Sequence, residues 1–495
     1  MMGYSALIII ALAVLLITVV GMVPGWRGKG KTLEQWAVGG RSFPRWMNWF
    51  VLAGEIYTAF AFLGASGWSY SKGAPVFYIL GYGSLAYVVG FWILPRLSPL
   101  GRKFNLMTQP DLVEQLYGSR RLGIVVAVIG IVFLIPYLQL QLTGLGMIIE
   151  VCSYGLIPRE AAMIVAVILI VSFVYLSGLH GVAYTAVVKD ILMLVVIVGL
   201  GLYIPIHFFG SVGAMFHELN AARPGFLVLP GATPNLDVAW MMSTLVLFAC
   251  GFYMWPHFTA SAFAAKNSDV LRHNAVYLPL YNLFLLFPML VGFTAIMVLH
   301  PALGAAETDQ AFLQVVRQFF PPWLLGIIGA VGALACMIPA AELVLSTSML
   351  FTRNVWLRTT QQEMKEDSAR RFARLMVIVL LAIALYFAIF NANALVNLLI
   401  TGYTGVAQFF PMIVLGIFWR GATRWGAIAS LVVGESLVYY LLVVKKMAVV
   451  PLPYDIGHIN AGCLALMATC AVFLVVSLLT RKSADVGIVD TGTLR

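Results

Sequence analysis

The sequence predicts an all-α polytopic membrane protein. Of its 495 residues, 61% are Ala, Val, Ile, Leu, Met, Phe, Trp, Tyr or Cys and only 10% are charged, whereas soluble globular proteins have about 25% charged residues. Apolar stretches such as 4–23 and 461–479 have the length of membrane-spanning helices, while barrel strands would alternate in polarity over about ten residues. This composition excludes a soluble enzyme, a nucleic-acid-binding module and a disordered scaffold.

Thirteen apolar stretches are separated by polar, Gly or Pro residues, and each is near the roughly 20 residues that a helix needs to cross the hydrocarbon core. The first run is too long for a secretory signal peptide and lacks its basic start, so we expect it to remain as a helix. The predicted limits are 4–24, 47–69, 75–96, 122–150, 160–179, 184–207, 236–262, 274–300, 323–352, 372–390, 394–419, 425–445 and 458–480.

The distribution of basic residues predicts the orientation of these spans. If the N-terminus is outside, 24 of the 30 Lys and Arg residues fall on the cytoplasmic side and six on the opposite side. Cytoplasmic loops of membrane proteins carry such an excess, so we expect an outside N-terminus and a cytoplasmic C-terminus. The net charge of +10 then reflects topology and contact with anionic membrane lipid, and predicts no nucleic-acid partner.

Two predicted spans carry helix-breaking residues, and they lie five spans apart. The second contains Gly54 and Gly64 around the acid Glu55, and the seventh contains Gly251 and Pro256. Transporters with inverted repeats bind their solutes at such interrupted helices, so these two spans are expected to begin two five-helix units. The predicted parts are a first helix and basic cytoplasmic loop, 1–46; a ten-helix inverted-repeat transport core, 47–419, with repeats 47–207 and 236–419; two peripheral helices, 420–480; and a cytoplasmic tail, 481–495.

Ionisable residues inside the apolar stretches are candidates for ion coupling, because a charge inside a bilayer is costly. Glu55 lies in the second span, Lys189 and Asp190 lie near the start of the sixth, and Glu342 lies midway along the ninth. The chain has no phosphate-binding loop, no complete dinucleotide fingerprint and no metal-ligand spacing among its seven His residues. We therefore expect no enzyme, no ATP-driven pump, no cofactor and no obligate protein partner.

The order of several short motifs resembles that of the sodium:solute symporter family, from the first helix to about residue 445. The motifs include Val38–Arg41, Trp255–His257 and Gly402–Gly405. Within the family, Asn267–Asp269 and Leu350–Trp356 look most like the bacterial monocarboxylate permease branch. The resemblance implies the inverted-repeat fold, a place in the bacterial inner membrane, and uptake of a small organic acid or amino acid.

The resemblance also implies where a sodium ion would bind. Family members use two backbone carbonyls at the break of the second span, which fall on Gly54 and Tyr57, and a hydroxyl pair in the ninth span just after Ala335. That pair falls on Ile338 and Pro339, which have no side-chain oxygen, although a hard cation needs several oxygen ligands. The usual sodium site is therefore predicted to be incomplete.

Lys189 offers a replacement for the ion, because an ammonium beside an empty cation site can take the ion's place. Its neighbour Asp190 matches the acid that family members place near the inward exit of the ion. One hypothesis is therefore proton coupling through Lys189 with Glu55 or Asp190. The other is retention of sodium by hydroxyls of 346–348. The predicted coupling ion is thus H⁺ or Na⁺. Na⁺ is the one metal ion whose binding the resemblance implies.

For the solute, the family's contacts fall on Tyr57 and Thr58 of the second span and on Phe248 and Phe252 of the seventh. Aromatic walls with few polar groups suit a small solute, although each aromatic residue would equally suit core packing. The predicted function is import of a short-chain monocarboxylate or small amino acid by cation symport and alternating access. The alternatives are a transporter-like sensor with a separate signalling partner, and a channel, for which the sequence shows no selectivity loop.

Overall fold

The computed structural model describes residues 2–361, 364–391 and 395–481, and these residues are almost entirely helical. Apart from Arg481, the predicted tail 481–495 lies outside the described residues. The α-helices are α1 (Met2–Trp26), α2 (Leu33–Val38), α3 (Arg45–Gly54), α4 (Ala65–Lys72), α5 (Tyr78–Lys103), α6 (Gln109–Tyr117), α7 (Arg120–Cys152), α8 (Arg159–Ser177), α9 (Leu179–Phe209), α10 (Val212–Ala222), α11 (Val238–Gly251), α12 (Pro256–Ala264), α13 (Ser268–Leu283), α14 (Leu286–Val298), α15 (Ala311–Phe319), α16 (Pro322–Met349), α17 (Leu357–Thr360), α18 (Glu366–Phe390), α19 (Leu395–Val406), α20 (Gly416–Phe418), α21 (Arg424–Tyr439) and α22 (Ala461–Thr480).

Most of the predicted spans are present as long apolar helices. Within the described part of the chain, eleven helices are long and apolar enough to cross a membrane, and the pair Val238–Met254 and Pro256–Ala264, bent by 50°, gives a twelfth. The remaining predicted stretch, 47–69, is divided between the short helices α3 and α4. The membrane-protein class is confirmed, while the count of thirteen, the repeats and the orientation stay predictions.

Helix α16 lies at the centre of the helical bundle and packs against α1, α7, α9 and α18. In the most apolar part of its span, 89% of the residues are buried. The corresponding share is 33% for the spans of α1, α9 and α18. Apolar side chains on the outer helices remain exposed, as expected where lipid tails cover the surface. Residues on α16 therefore lie in the protein interior, and polar groups there need partners from other helices.

A short β-hairpin lies between the last two helices of the described chain. Strands β1 (Val449–Pro451) and β2 (His458–Asn460) are antiparallel, with Val450 opposite Ile459. His458 Nδ1 lies 2.8 Å from a carboxylate oxygen of Asp237, the residue that caps α11. The hairpin thus connects the loop before α22 to the start of α11.

Two glycines permit close contact between the second predicted span and its neighbours. A Cβ added to Gly67 in α4 would lie 2.6 Å from a carboxylate oxygen of Asp309, and one added to Gly292 in α14 would collide with the carbonyl oxygen of Ser66. Small residues of this kind let membrane helices pack backbone to backbone. The contact between α4 and α14 therefore depends on the absence of a side chain at Gly292.

We expect Gly292→Ala to lower stability by about 1–3 kcal/mol, because the added methyl group meets rigid backbone. The matched control is Gly199→Ala in α9, where an added Cβ meets no atom within 4 Å; helix propensity should leave this variant as stable as the parent protein or slightly more stable. Thermal unfolding of the two variants in detergent measures the difference. Equal melting temperatures would contradict the packing explanation.

Candidate functional site

The site is formed around the interruption of the second predicted span. Helix α3 ends at Gly54, residues 55–58 are not helical, and the chain resumes as a π-helical turn at Phe60–Gly64. The last carbonyls of a helix have no donor within that helix. Gln141 of α7 accepts a hydrogen bond from the backbone N–H of Ala59 at 3.1 Å. The carbonyl groups on the α3 side of the break need hydrogen-bond donors from other helices.

Lys189 of α9 supplies those donors. Its Nζ donates to the carbonyl oxygens of Gly54 at 2.7 Å and Tyr57 at 3.1 Å. It also lies 2.8 Å from a carboxylate oxygen of Asp190, and the side chains of both residues are at most 1% exposed. The ammonium thus contacts the same two carbonyls that the family resemblance gives to a sodium ion. The negative end of the α3 dipole favours a cation at this place.

The predicted ion-site positions of the ninth span lie on α16, where Ala335, Ile338 and Pro339 are all buried. Pro339 has no backbone N–H, so the carbonyl of Ala335 loses its usual helical donor. Two hydroxyls that were candidates for retaining sodium are used within the helix: Thr347 donates to Leu343 O at 2.6 Å, and Ser348 donates to Leu345 O at 2.7 Å. In both bonds the hydroxyl donates, so its oxygen keeps the lone pairs that a cation would bind.

Glu55 and Glu342 form a second polar cluster with two residues that the sequence analysis missed. The ring nitrogen Nε2 of His257 lies 3.1 Å from a carboxylate oxygen of Glu55, with both side chains at most 1% exposed. The hydroxyl of Ser261 donates to Glu342, and Glu342 lines the same small cavity as His257. His257 and Ser261 are four residues apart on α12. That spacing after Pro256 is the signal that could have identified them.

A cavity of about 10 Å³ lies beside this acid–histidine cluster, lined by His257, Glu342 and Ser346 on one side and Thr108 on another. This volume is close to that of one water molecule. Within the described residues, no carboxylate oxygen of Glu55 and neither ring nitrogen of His257 has a hydrogen bond of good geometry. Buried groups of this kind can exchange a proton with one another or with a water molecule.

Aromatic side chains gather on the other side of the break. Phe248 of α11 stacks on Tyr403, with ring centroids 4.0 Å apart, and lies 4.9 Å from Tyr82. Phe252 lies 6.2 Å from Tyr82 and 5.7 Å from Tyr87. The structure therefore brings the two predicted phenylalanines together with three tyrosines that the sequence analysis did not name. These tyrosines lie on spans far from the phenylalanines in the chain, so residue spacing did not indicate that they meet.

The other two predicted solute contacts, Tyr57 and Thr58, are buried at the break of the second predicted span. Tyr57 packs its ring 4.8 Å from that of Tyr281, and Thr58 is 1% exposed. Among the described residues, the buried hydroxyls of Tyr87 and Tyr253 have no hydrogen-bond partner. The group is thus mainly apolar, with unsatisfied hydroxyl donors inside it.

Comparison with known proteins gives a consistent result. The Sodium:solute symporter family profile matches residues 36–434. An uncharacterized symporter of Bacillus subtilis, YhjB, is 42% identical over 97% of this chain and 98% of its own length. The monocarboxylate transport permease protein of Rhizobium johnstonii is 30% identical over 97% and 98% of the two chains. The solved structure of a Na⁺-coupled sialic acid symporter, in a substrate-bound outward-open state, has a TM-score of 0.78 at 15% identity and covers 98% of both chains.

These matches define a membrane transport protein and not an enzyme. The chain belongs to the sodium:solute symporter family. The resemblance stated from the short motifs is thereby confirmed. The protein is a multi-pass protein of the bacterial plasma membrane.

We expect Lys189→Met to destabilise the protein by about 3–5 kcal/mol, because it leaves the buried carboxylate of Asp190 without its partner. The double variant Lys189→Met with Asp190→Asn should recover part of this loss, since no unpaired charge remains. Lys29→Met at an exposed position is the control. Denaturation of each purified variant in detergent measures the difference. A double variant that is no more stable than Lys189→Met would contradict the ion-pair interpretation.

Proposed function

We propose that this protein is a secondary active symporter that imports a small organic solute together with protons by alternating access. The observation that supports proton coupling is the position of Lys189, whose ammonium donates to the carbonyls of Gly54 and Tyr57. A sodium ion on the same carbonyls would lie against a fixed positive charge, and like charges at such short distance repel strongly. Lys189 therefore takes the place of the ion.

The acids near the break are the proposed groups that take up and release the proton. Glu55 and Glu342 are both buried, and each contacts a polar residue of α12; buried carboxyl groups near one another do not both ionise readily. Asp190 holds the charge of Lys189 in place. A change in the protonation of these acids would weaken the hydrogen bonds from Lys189 to the carbonyls of the interrupted helix. Proton binding and helix movement would then be linked through the same contacts.

The proposed transport core is the segment 47–419, within a chain that crosses the membrane thirteen times from an outside N-terminus. Two observations support the repeats 47–207 and 236–419. The first span of each is interrupted, one after Gly54 and the other at Trp255, where the bend is 50°. In transporters of this design, one helix bundle rocks against the rest around a site at the interrupted helices.

The proposed solute is a short-chain monocarboxylate or a small amino acid. The aromatic group around Phe248 is closely packed, which suits a small solute. A carboxylate there could accept hydrogen bonds from the free hydroxyls of Tyr87 and Tyr253 and from the first N–H groups of α12, whose dipole attracts anions. The name of the Rhizobium johnstonii relative, a monocarboxylate transport permease protein, supports the same class of solute.

Proteoliposomes with an imposed inward pH gradient and no sodium test the coupling ion. We expect accumulation of one or more of pyruvate, lactate, acetate, propionate and alanine above its external concentration, and loss of accumulation when a protonophore is added. Accumulation that requires sodium would contradict proton coupling. Binding of a solute without any flux would instead support the sensor alternative.

The solute position is tested by Phe248→Ala. We expect KM for the transported solute to rise about tenfold or more, because the variant removes the ring that stacks on Tyr403. The control is Phe390→Ala, which truncates a ring that is 72% exposed on the outer surface. Initial rates of uptake in proteoliposomes give KM for both variants. An unchanged KM for Phe248→Ala would place the solute elsewhere.

A further inference from the structure

A pocket of about 320 Å³ lies on the outer surface between α5 and α13, away from the interrupted helices. Arg96 and Trp92 of α5 line it, together with Ser268 and Arg272 of α13. The charge bias predicts that these helix ends face the cytoplasm. The pocket therefore lies where the cytoplasmic head-group layer meets the protein.

The pocket carries positive charge that the described protein does not neutralise. Arg96 and Arg272 line the same pocket, and no carboxylate lines it. Arg96 stacks over the ring of Phe418 at 3.9 Å, and its buried Nη1 has no hydrogen-bond partner among the described residues. Arg272 has only a distant, exposed partner, Asp269, at 3.9 Å, and such surface pairs contribute little.

An apolar surface continues from the two arginines along both helices. On α5, Trp92 and Val88 lie four and eight residues before Arg96, on the same helix face, and each is 61% exposed. On α13, Val276 and Leu280 follow Arg272 at the same spacing and are 55% and 59% exposed. Helices α5 and α13 pack against each other. The two stripes thus form one apolar surface that begins at the arginines and leads toward the bilayer core.

We propose that this pocket binds the head-group phosphate of an anionic phospholipid of the cytoplasmic leaflet, with Arg96 and Arg272 as its ligands. Guanidinium groups match phosphate oxygens in geometry and charge. Trp92 lies at the level where tryptophan favours the membrane interface. The acyl chains lie along the exposed stripes of α5 and α13. A free phosphate would use the arginines alone, so the adjoining apolar surface favours a lipid.

The test uses the full-length protein in a neutral detergent. Melting temperatures are measured with added phosphatidylglycerol and with phosphatidylcholine of the same acyl chains. We expect phosphatidylglycerol to raise the melting temperature of the parent protein more than phosphatidylcholine does. The double variant Arg96→Gln with Arg272→Gln should bind phosphatidylglycerol about thirtyfold more weakly, because each of the two basic residues usually contributes about fivefold at an anionic membrane surface.

The matched control is Arg120→Gln with Arg121→Gln, which removes two exposed arginines from the same predicted face, outside the pocket. This control should keep the full phosphatidylglycerol effect. Loss of the effect in the control, or its persistence in the pocket variant, would overturn the proposal. An equal effect of inorganic phosphate or glycerol phosphate on the parent protein would identify an anion site and overturn the lipid assignment. Native mass spectrometry of lipid retained by each variant provides a second readout that does not depend on melting.

Discussion

The bonds from Lys189 to the carbonyls of Gly54 and Tyr57 make the interrupted helix possible. In a bilayer, an open helix end leaves backbone groups that no water can satisfy, at several kcal/mol for each group. Here the ammonium from α9 satisfies two carbonyls, and Gln141 from α7 satisfies the amide of Ala59 on the other side. The break is therefore held by neighbouring helices and not by its own sequence. Because α9 supplies this donor, the positions of α3 and α9 are tied to each other.

The second interruption brings the remaining functional groups to the same place. The bend at Trp255 starts α12, which carries His257 and Ser261 to Glu55 and Glu342. Phe248 of the aromatic group lies on α11, just before that bend. The positions of the acids and of the aromatic side chains thus depend on two short stretches of non-helical backbone. In the proposed symport mechanism, the coupling of ion and solute would act through these two stretches.

Much of this arrangement follows from patterns that are local in the sequence. Apolar length predicts the spans, and glycine near an acid predicts the break at Glu55. The family resemblance adds Lys189, because the hydroxyl pair that it implies is missing at Ile338 and Pro339. The pairing of Glu55 with His257 is different, because it joins residues about 200 positions apart, and periodicity carries no information on which faces meet. The same reason hides the contact of Phe248 with Tyr403. Short helices such as α6 and α10 are below the length that hydropathy detects.

The cation at the break is the ammonium of Lys189, which is part of the polypeptide. The composition of the medium therefore has a different effect on the fold than it would with a bound ion. An ion that binds from solution stabilises a folded protein by an amount that rises with its free concentration. The ammonium of Lys189 has no such dependence, since its local concentration is set by the covalent chain. The bonds from Lys189 to the interrupted helix therefore do not depend on the concentration of a free cation. In the proposed mechanism, control would pass from the supply of an ion to the protonation of the buried acids near Lys189.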